Sequence, residues 1–118
     1  RSVSRGLGDV YKRQEITPRE FSSMVMLVRD ALLEMKKVLD YTGDVAANYM
    51  KMEARCRKIY VFEERGDEFY REEIRRLFTE KQSAAYMIYW KDILVDMERM
   101  LDAAAGAATL LQKLFVRV

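Results

Sequence analysis

The chain has 118 residues, enough for one domain, and it is 50% hydrophobic and 34% charged, with five Gly, one Pro, one Cys and no His. This composition excludes a disordered chain, a collagen and a disulfide-stabilised secreted module. The absence of His removes the commonest catalytic base and the commonest ligand of transition metals. The scarcity of Gly and Pro favours helices. The formal net charge is +2.

The basic excess lies in residues 1–14, which carry four basic side chains and one acidic one, a net charge of +3. Residues 15–118 carry 17 basic and 18 acidic side chains, a net charge of −1. The first segment has no helical or strand period, so we predict a disordered tail. It resembles translated read-through of a sequencing adapter, and we interpret it as non-native. The alternative is a basic arm that binds nucleic acid; the near-neutral domain 15–118 gives no reason to expect that partner.

The chain contains no run of apolar residues that approaches the ~18 needed for a membrane span. A secretory signal is not recognisable either, because residues 1–14 lack an apolar core. The single Cys56 has no internal partner for a disulfide, which predicts a reducing, cytoplasmic environment. Cys56 lies on an apolar stripe, so we expect a buried and unreactive thiol.

The first predicted helix begins at Thr17-Pro18-Arg19-Glu20, a sequence typical of a capping box with Pro at the first helical position. Apolar residues then recur at alternating steps of three and four, and this stripe comprises Phe21, Met24, Val28, Ala31, Met35 and Val38. Three more residues widen it to a core-facing band: Val25, Leu32 and Leu39. Gly43 is expected to end the helix in a left-handed conformation, and Asp44 to cap the next one.

The second predicted helix runs from Val45 to Thr79. Its apolar stripe comprises Val45, Tyr49, Met52, Cys56, Ile59, Tyr70, Ile74 and Leu77. Phe62 and Phe69 permit a second rotational setting of this helix. Three arginines on it suggest a phosphate-binding patch, namely Arg71, Arg75 and Arg76. Acidic residues at i,i+4 spacing favour the alternative, a solvated face on which these charges are neutralised.

The third predicted helix is capped by Ser83 and spans Ala84 to Val116. Its predicted seam alternates between steps of three and four, and comprises Tyr86, Trp90, Ile93, Met97, Met100, Ala104, Ala107, Leu111, Leu114 and Val118. The small residues of 103–108 would allow close helix approach. We therefore predict an all-α fold, an antiparallel up-down-up three-helix bundle over residues 15–118.

Two pairs of carboxylates at i,i+4 spacing carry the clearest chemical signal in the chain. Glu63 and Gly66 continue the stripe of the second helix, and Asp67 lies one turn beyond Glu63. Glu98 and Asp102 repeat the spacing on the third helix. If these helices fold back about residue 82, all four carboxylates lie at one height. Converging carboxylates in a helical bundle predict a site for iron or another hard divalent or trivalent cation.

The rotational setting of the third helix argues against this site, because its predicted seam turns Glu98 and Asp102 outward. The alternative is two unrelated surface pairs, with Arg65 and Arg99 softening the repulsion. In favour of the site, a fold of the first two helices about residue 43 would bring Glu20 to about the height of the four carboxylates. A ferritin-like site is excluded, because it requires Glu-x-x-His motifs.

The segment Glu63–Arg71, followed by Ile74–Phe78, resembles the E-x-x-x-D-x-x-Y-R … L-F helix of PhoU-like proteins, in particular the accessory regulators of Pit phosphate transporters. Trp90–Ile93 and the Glu98-x-x-x-Asp102 motif are also similar to the last helix of that branch. The resemblance covers about residues 18–117 and corresponds to the second half of such a protein. Whole members are built from two three-helix bundles.

The resemblance implies a function and a set of site residues. The family's Glu/Asp-x-x-x-Asp motifs hold iron or other metal ions, and they match Glu63, Asp67, Glu98 and Asp102. Where the family continues with further acidic residues, this chain has Ala105 and Gly106. The implied function is non-enzymatic regulation of inorganic phosphate transport, with no catalytic residues, by docking on a Pit-type transporter at the inner face of the membrane.

Two other functions are open at this point. One is a structural or interaction bundle that pairs with a missing N-terminal half or self-associates, without metal. The other is a small helical enzyme, such as a chorismate-mutase-like lyase or isomerase. The enzyme is disfavoured because that chemistry needs basic residues around a dianionic substrate, whereas the predicted layer is acidic.

Overall fold

A computed structural model describes residues 21–80 and 82–116 of the chain. The tail predicted for residues 1–14, the cap predicted at Thr17-Pro18-Arg19-Glu20 and the end of the third-helix seam at Val118 lie outside the described residues. Glu20, which was expected at the height of the carboxylate layer, lies outside them as well.

The described residues form three helices and contain no strand, so the predicted all-α class is confirmed. Helix α1 is Phe21–Asp40, α2 is Val45–Thr79 and α3 is Ala84–Phe115. A turn of 3-10 helix, Tyr41–Asp44, joins α1 to α2, so that the two form one helical segment with a sharp bend. The predicted bounds of the second helix are confirmed, and α3 ends one residue before the predicted Val116.

The helix starts follow the predicted capping residues. Asp44 Oδ1 accepts a hydrogen bond from the Ala47 backbone N–H at 3.1 Å, and Ser83 Oγ accepts one from Tyr86 at 3.1 Å. Each bond satisfies a backbone donor that has no partner within the helix. The prediction for Gly43 was wrong: it lies within the 3-10 turn and does not adopt a left-handed conformation.

Contacts between side chains fix how the helices pack. Helix α1 runs back along α2, because Arg55 Nη1 lies 3.3 Å from Glu34 Oε2 across the bend. Helix α3 also packs on α2, where the Tyr60 hydroxyl donates to Gln112 Oε1 at 2.5 Å. The rings of Phe21 and Trp90 meet edge to face at 5.0 Å, which brings the start of α1 against α3. Within the described ranges, no helix is long and apolar enough to cross a bilayer.

Helix α1 buries four residues of its predicted stripe, namely Met24, Val28, Ala31 and Val38, but the band does not widen to the side that was predicted. Leu27 is also buried. Val25, Leu32 and Leu39 were expected to widen the core-facing band, but they are 41–54% exposed. That prediction was wrong because α2 and α3 pack against the Met24–Leu27 side of the helix, and no described element covers the Val25 side.

Helix α3 buries Tyr86, Trp90 and Ala104 as predicted, but its buried face is rotated relative to the rest of the predicted seam. Ile93, Met100, Ala107 and Leu114 were expected inside, but the buried positions are the next ones along, namely Leu94, Leu101, Ala108 and Phe115. Spacing alone does not determine this rotation, because α3 carries apolar or small residues on several faces. The rotation turns Glu98 towards α2.

Candidate functional site

Gly66 lies on α2 in close contact with α3, beside the predicted carboxylates. It is buried on α2 between Glu63 and Asp67. A Cβ built at Gly66 would collide with Leu101 Cδ1 of α3 and would lie 3.8 Å from Glu98 Oε2. The missing side chain therefore permits the close approach, which explains a glycine that disfavours the helix by ~1 kcal/mol relative to Ala.

The structure brings the four predicted carboxylates together, and we call Glu63, Asp67, Glu98 and Asp102 the acidic cluster. Glu98 interacts electrostatically with each of the other three. Glu63 interacts with Asp67 on its own helix and with Asp102 on α3. The expectation that Glu98 would face outward was therefore wrong, because α3 is rotated. Asp102 is exposed at the edge of the cluster.

Glu98 is the member most affected by its surroundings. Burial raises its pKa to about 7, and the neighbouring charge of Asp102, a hydrogen bond with Asp67 and the charges of Asp67 and Glu63 act in the same direction. Two carboxyl groups form a hydrogen bond only when one of them holds a proton. Among the described residues, no group donates a hydrogen bond to the buried Glu98 Oε2. A buried oxygen without a donor is destabilising.

Glu63 shares this environment to a smaller degree. Its side chain is half-buried, and burial raises its pKa, with Asp102, Asp67 and Glu64 adding to the effect. Both helices therefore contribute a carboxyl group that is harder to ionise than an exposed one.

The arginines expected to soften the repulsion are engaged elsewhere. Arg99 pairs with Asp96 at 3.4 Å on the solvent side of α3. Arg65 lines a surface cavity of about 390 Å³, together with Asp30 of α1. Among the described residues, Arg71 does reach the cluster, where it forms an ion pair with Asp67.

Arg71, Arg75 and Arg76 of α2 form a neutralised face, as the acidic spacing favoured. Arg71 pairs with Asp67, Arg75 with Glu72, and Arg76 with both Glu72 and the buried Glu73. Each guanidinium already has a carboxylate partner, so a phosphate would have to compete with these ion pairs.

The donor chemistry of the acidic cluster suits a hard cation, since carboxylate oxygens are the ligands that such ions prefer. A cation would also place a positive charge beside Glu98 Oε2, which has no hydrogen-bond donor among the described residues. Within residues 21–80 and 82–116, however, no three acidic or thiol side chains already form a closed metal-binding group. Binding would therefore require rotation of the carboxylate side chains, which the exposure of Asp102 permits.

Sequence reasoning found the four carboxylates and the i,i+4 pairing of Arg71 with Asp67, but it missed one feature that defines their surroundings. Leu101 fills the space left by Gly66, and the rotated seam conceals this role.

Comparisons of the chain with protein-family models, with curated proteins and with solved structures find no match.

Proposed function

We propose that this chain is a non-enzymatic helical regulator whose acidic cluster binds a hard cation. By its resemblance to the PhoU-like accessory regulators, it modulates inorganic phosphate transport through contact with a Pit-type transporter. In this proposal the three helices act as an up-down-up bundle that corresponds to the second half of such a regulator.

The observation that supports cation binding is the buried Glu98 Oε2, which has no donor among the described residues and lies among three other carboxyl groups. Carboxylates held this close repel one another unless a proton or a cation lies between them. The cation is iron or another divalent or trivalent ion with a preference for oxygen ligands. By the same resemblance, its role would be structural or sensory.

Cation binding is tested by titrating the purified, chelator-treated chain with Mn²⁺ in a calorimeter and by elemental analysis before chelation. We expect one site per chain, weakened at least tenfold in the double variant Glu63→Gln, Asp67→Asn. The matched control is Glu64→Gln, Glu68→Gln, which removes two exposed carboxylates at the same spacing one residue further along α2. Equal, near-zero binding in the unmodified chain and in both variants would contradict the proposal.

The transport role needs a separate experiment. Deleting the gene that encodes this chain should change the rate of inorganic phosphate uptake, and the transporter should co-purify with the intact protein. Unchanged phosphate uptake, with no co-purification of the transporter, would refute this role. It would not bear on cation binding, which the titration tests.

A second function is favoured by a different observation, the exposed apolar residues of α1 and α3. Val25, Leu32 and Leu39 are 41–54% exposed, and Met100 and Leu110 are 51% and 60% exposed. Apolar surface of this kind marks an interaction site. In this second proposal the chain is an interaction bundle that pairs with a missing half or with another copy and needs no metal. A stable monomer in sedimentation experiments would argue against self-association.

A further inference from the structure

An apolar cavity of about 340 Å³ lies beside the turn that joins α2 to α3, and we call it the α2–α3 cavity. Its lining comes from the end of α2 and the start of α3, and comprises Phe78, Ala84, Met87, Ile88 and Lys91. Phe78 and Ile88 are 60% and 54% exposed, so an entering ligand would cover apolar surface that water now reaches. The volume lies within the ~300–1,000 Å³ of small-molecule sites.

Lys91 is the charged member of this lining. The positions three and four residues away from it on α3 are all apolar, namely Met87, Ile88, Leu94 and Val95, so the helix offers no acidic partner there. Among the described residues, no carboxylate lies within ion-pair distance of the Lys91 ammonium group. Asp92 follows Lys91 in the sequence but does not line the cavity. The α2–α3 cavity therefore combines apolar walls with a positive charge that no described carboxylate neutralises.

Two other cavities of the molecule have linings of mixed charge. The cavity that contains Arg65 is also lined by Asp30, and the one that contains Arg71 is also lined by Glu68 and Glu72. An anionic ligand would be repelled by a carboxylate in each of them, whereas the lining of the α2–α3 cavity is free of acidic residues. Charge complementarity therefore selects, for the α2–α3 cavity, an anion that carries an apolar body.

We propose that the α2–α3 cavity binds a free medium-chain fatty carboxylate, with its head group at Lys91 and its alkyl chain against Phe78 and Ile88. The ammonium group donates a charge-assisted hydrogen bond to a carboxylate oxygen. Each methylene group that the apolar walls remove from water tightens binding about fourfold, the equivalent of ~0.8 kcal/mol. This function goes beyond phosphate regulation and cation binding, and its site is separate from the acidic cluster, since Lys91 precedes Glu98 by seven residues, about two turns of α3.

The charges around the cavity favour a free carboxylate over the surface of a membrane. Segments that bind anionic lipids carry clusters of about 4–8 basic residues, whereas this lining has Lys91 alone. Two acidic residues that adjoin the lining in the sequence, Glu80 and Asp92, are exposed and would be repelled by an anionic bilayer. A single small anion avoids that repulsion because it lies within the cavity.

The test is calorimetric titration of the full chain with hexanoate, octanoate and octylammonium, each below the concentration at which it forms micelles. We expect octanoate to bind at one site per chain, at least fivefold more tightly than hexanoate and at least tenfold more tightly than octylammonium. Phe78→Ala should weaken octanoate binding at least fivefold. The matched control is Leu110→Ala, which removes an apolar side chain that is also 60% exposed but lies outside the cavity, and it should leave binding unchanged. Circular dichroism of each variant confirms that the helices are retained.

A charge reversal tests the role of Lys91. Lys91→Glu should reverse the preference, so that octylammonium binds more tightly than octanoate, whereas Lys113→Glu, at an exposed position near the other end of α3, should leave the preference unchanged. Loss of structure does not mimic this result, because the reversed preference requires a folded cavity. Equal binding of octanoate and octylammonium to the unmodified chain, or binding of octanoate at many sites, would overturn the proposal. Co-sedimentation of the chain with phosphatidylglycerol vesicles, without binding of free octanoate, would overturn it in favour of a membrane surface, and binding of neither would overturn both.

Discussion

At the scale of single residues, Glu98 is the carboxyl group of the acidic cluster whose pKa is raised most by its surroundings. It faces α2 because α3 is rotated relative to its predicted seam, and its Oε2 atom is buried without a donor among the described residues. Its raised pKa has burial as the largest cause and the charge of Asp102 as the next. The folded protein therefore holds a proton on Glu98 more tightly than the unfolded chain does.

This difference predicts a pH dependence of stability in metal-free protein. The pKa of Glu98 rises from 4.5 to about 7 on folding, so its contribution is fully favourable below pH 4.5 and is lost as the pH rises through 7. Glu98→Gln keeps the shape and removes the ionisation. We expect the variant to gain on the order of 1 kcal/mol of unfolding free energy at pH 8 relative to pH 5, after allowance for solvent screening.

Urea unfolding at the two pH values, in the presence of a chelator, measures this effect. Glu68→Gln is the control, since it removes an exposed carboxylate of α2. If Glu98→Gln changes the free energy of unfolding by the same amount at pH 5 and pH 8, the raised pKa of Glu98 would be contradicted.

At the scale of helices, the approach of α2 to α3 depends on Gly66. The sequence predicted both helices within one residue at each end, because capping residues and a polar break mark their ends. It also placed Gly66 on the packed side of α2. It could not predict which α3 side chain fills the space, because the alternation of apolar residues on α3 fits two rotational settings.

Two glycine substitutions should therefore have opposite effects. Gly66→Ala forces Leu101 to move in a buried contact, and we expect the ~1–3 kcal/mol cost of overpacking to exceed the ~1 kcal/mol gain in helix propensity. Gly106→Ala lies on α3 with no atom within 4 Å of the added Cβ, so it should stabilise the protein by up to ~1 kcal/mol. Urea unfolding of both variants measures the difference, and stabilisation by Gly66→Ala would contradict the close approach.

At the scale of the whole molecule, the sequence predicted the helix order, the caps at Asp44 and Ser83 and the common height of the carboxylates. Its errors about which helix faces are buried have one physical origin. Val25 and Met100 have the spacing of core residues, and periodicity does not distinguish a face that packs within the chain from one that another chain would cover. Exposed residues such as Val25 and Met100 thus continue the apolar pattern on faces that no described helix covers.

Cys56 allows the opening of the core to be measured by the rate of thiol labelling. It is the chain's single cysteine, it is fully buried, and burial raises the pKa of its thiol, with Glu53 acting in the same direction. A thiol reagent in solution can modify it only when α2 separates from its neighbours. The rate of labelling therefore measures how often the core opens, without any engineered probe.

For a typical domain stability of ~5 kcal/mol, opening controlled by global unfolding would slow labelling roughly 1,000- to 10,000-fold relative to the urea-unfolded chain. We expect native labelling by a chromogenic disulfide to be slower by a factor in this range, and Mn²⁺ to slow it further if the acidic cluster binds the ion in the folded state alone. Labelling of native protein as fast as in urea would show that the packing around Cys56 is open to solvent.

The same measurement on Gly66→Ala would show whether a methyl group added at the α2–α3 contact also loosens the packing around Cys56, which lies further along α2.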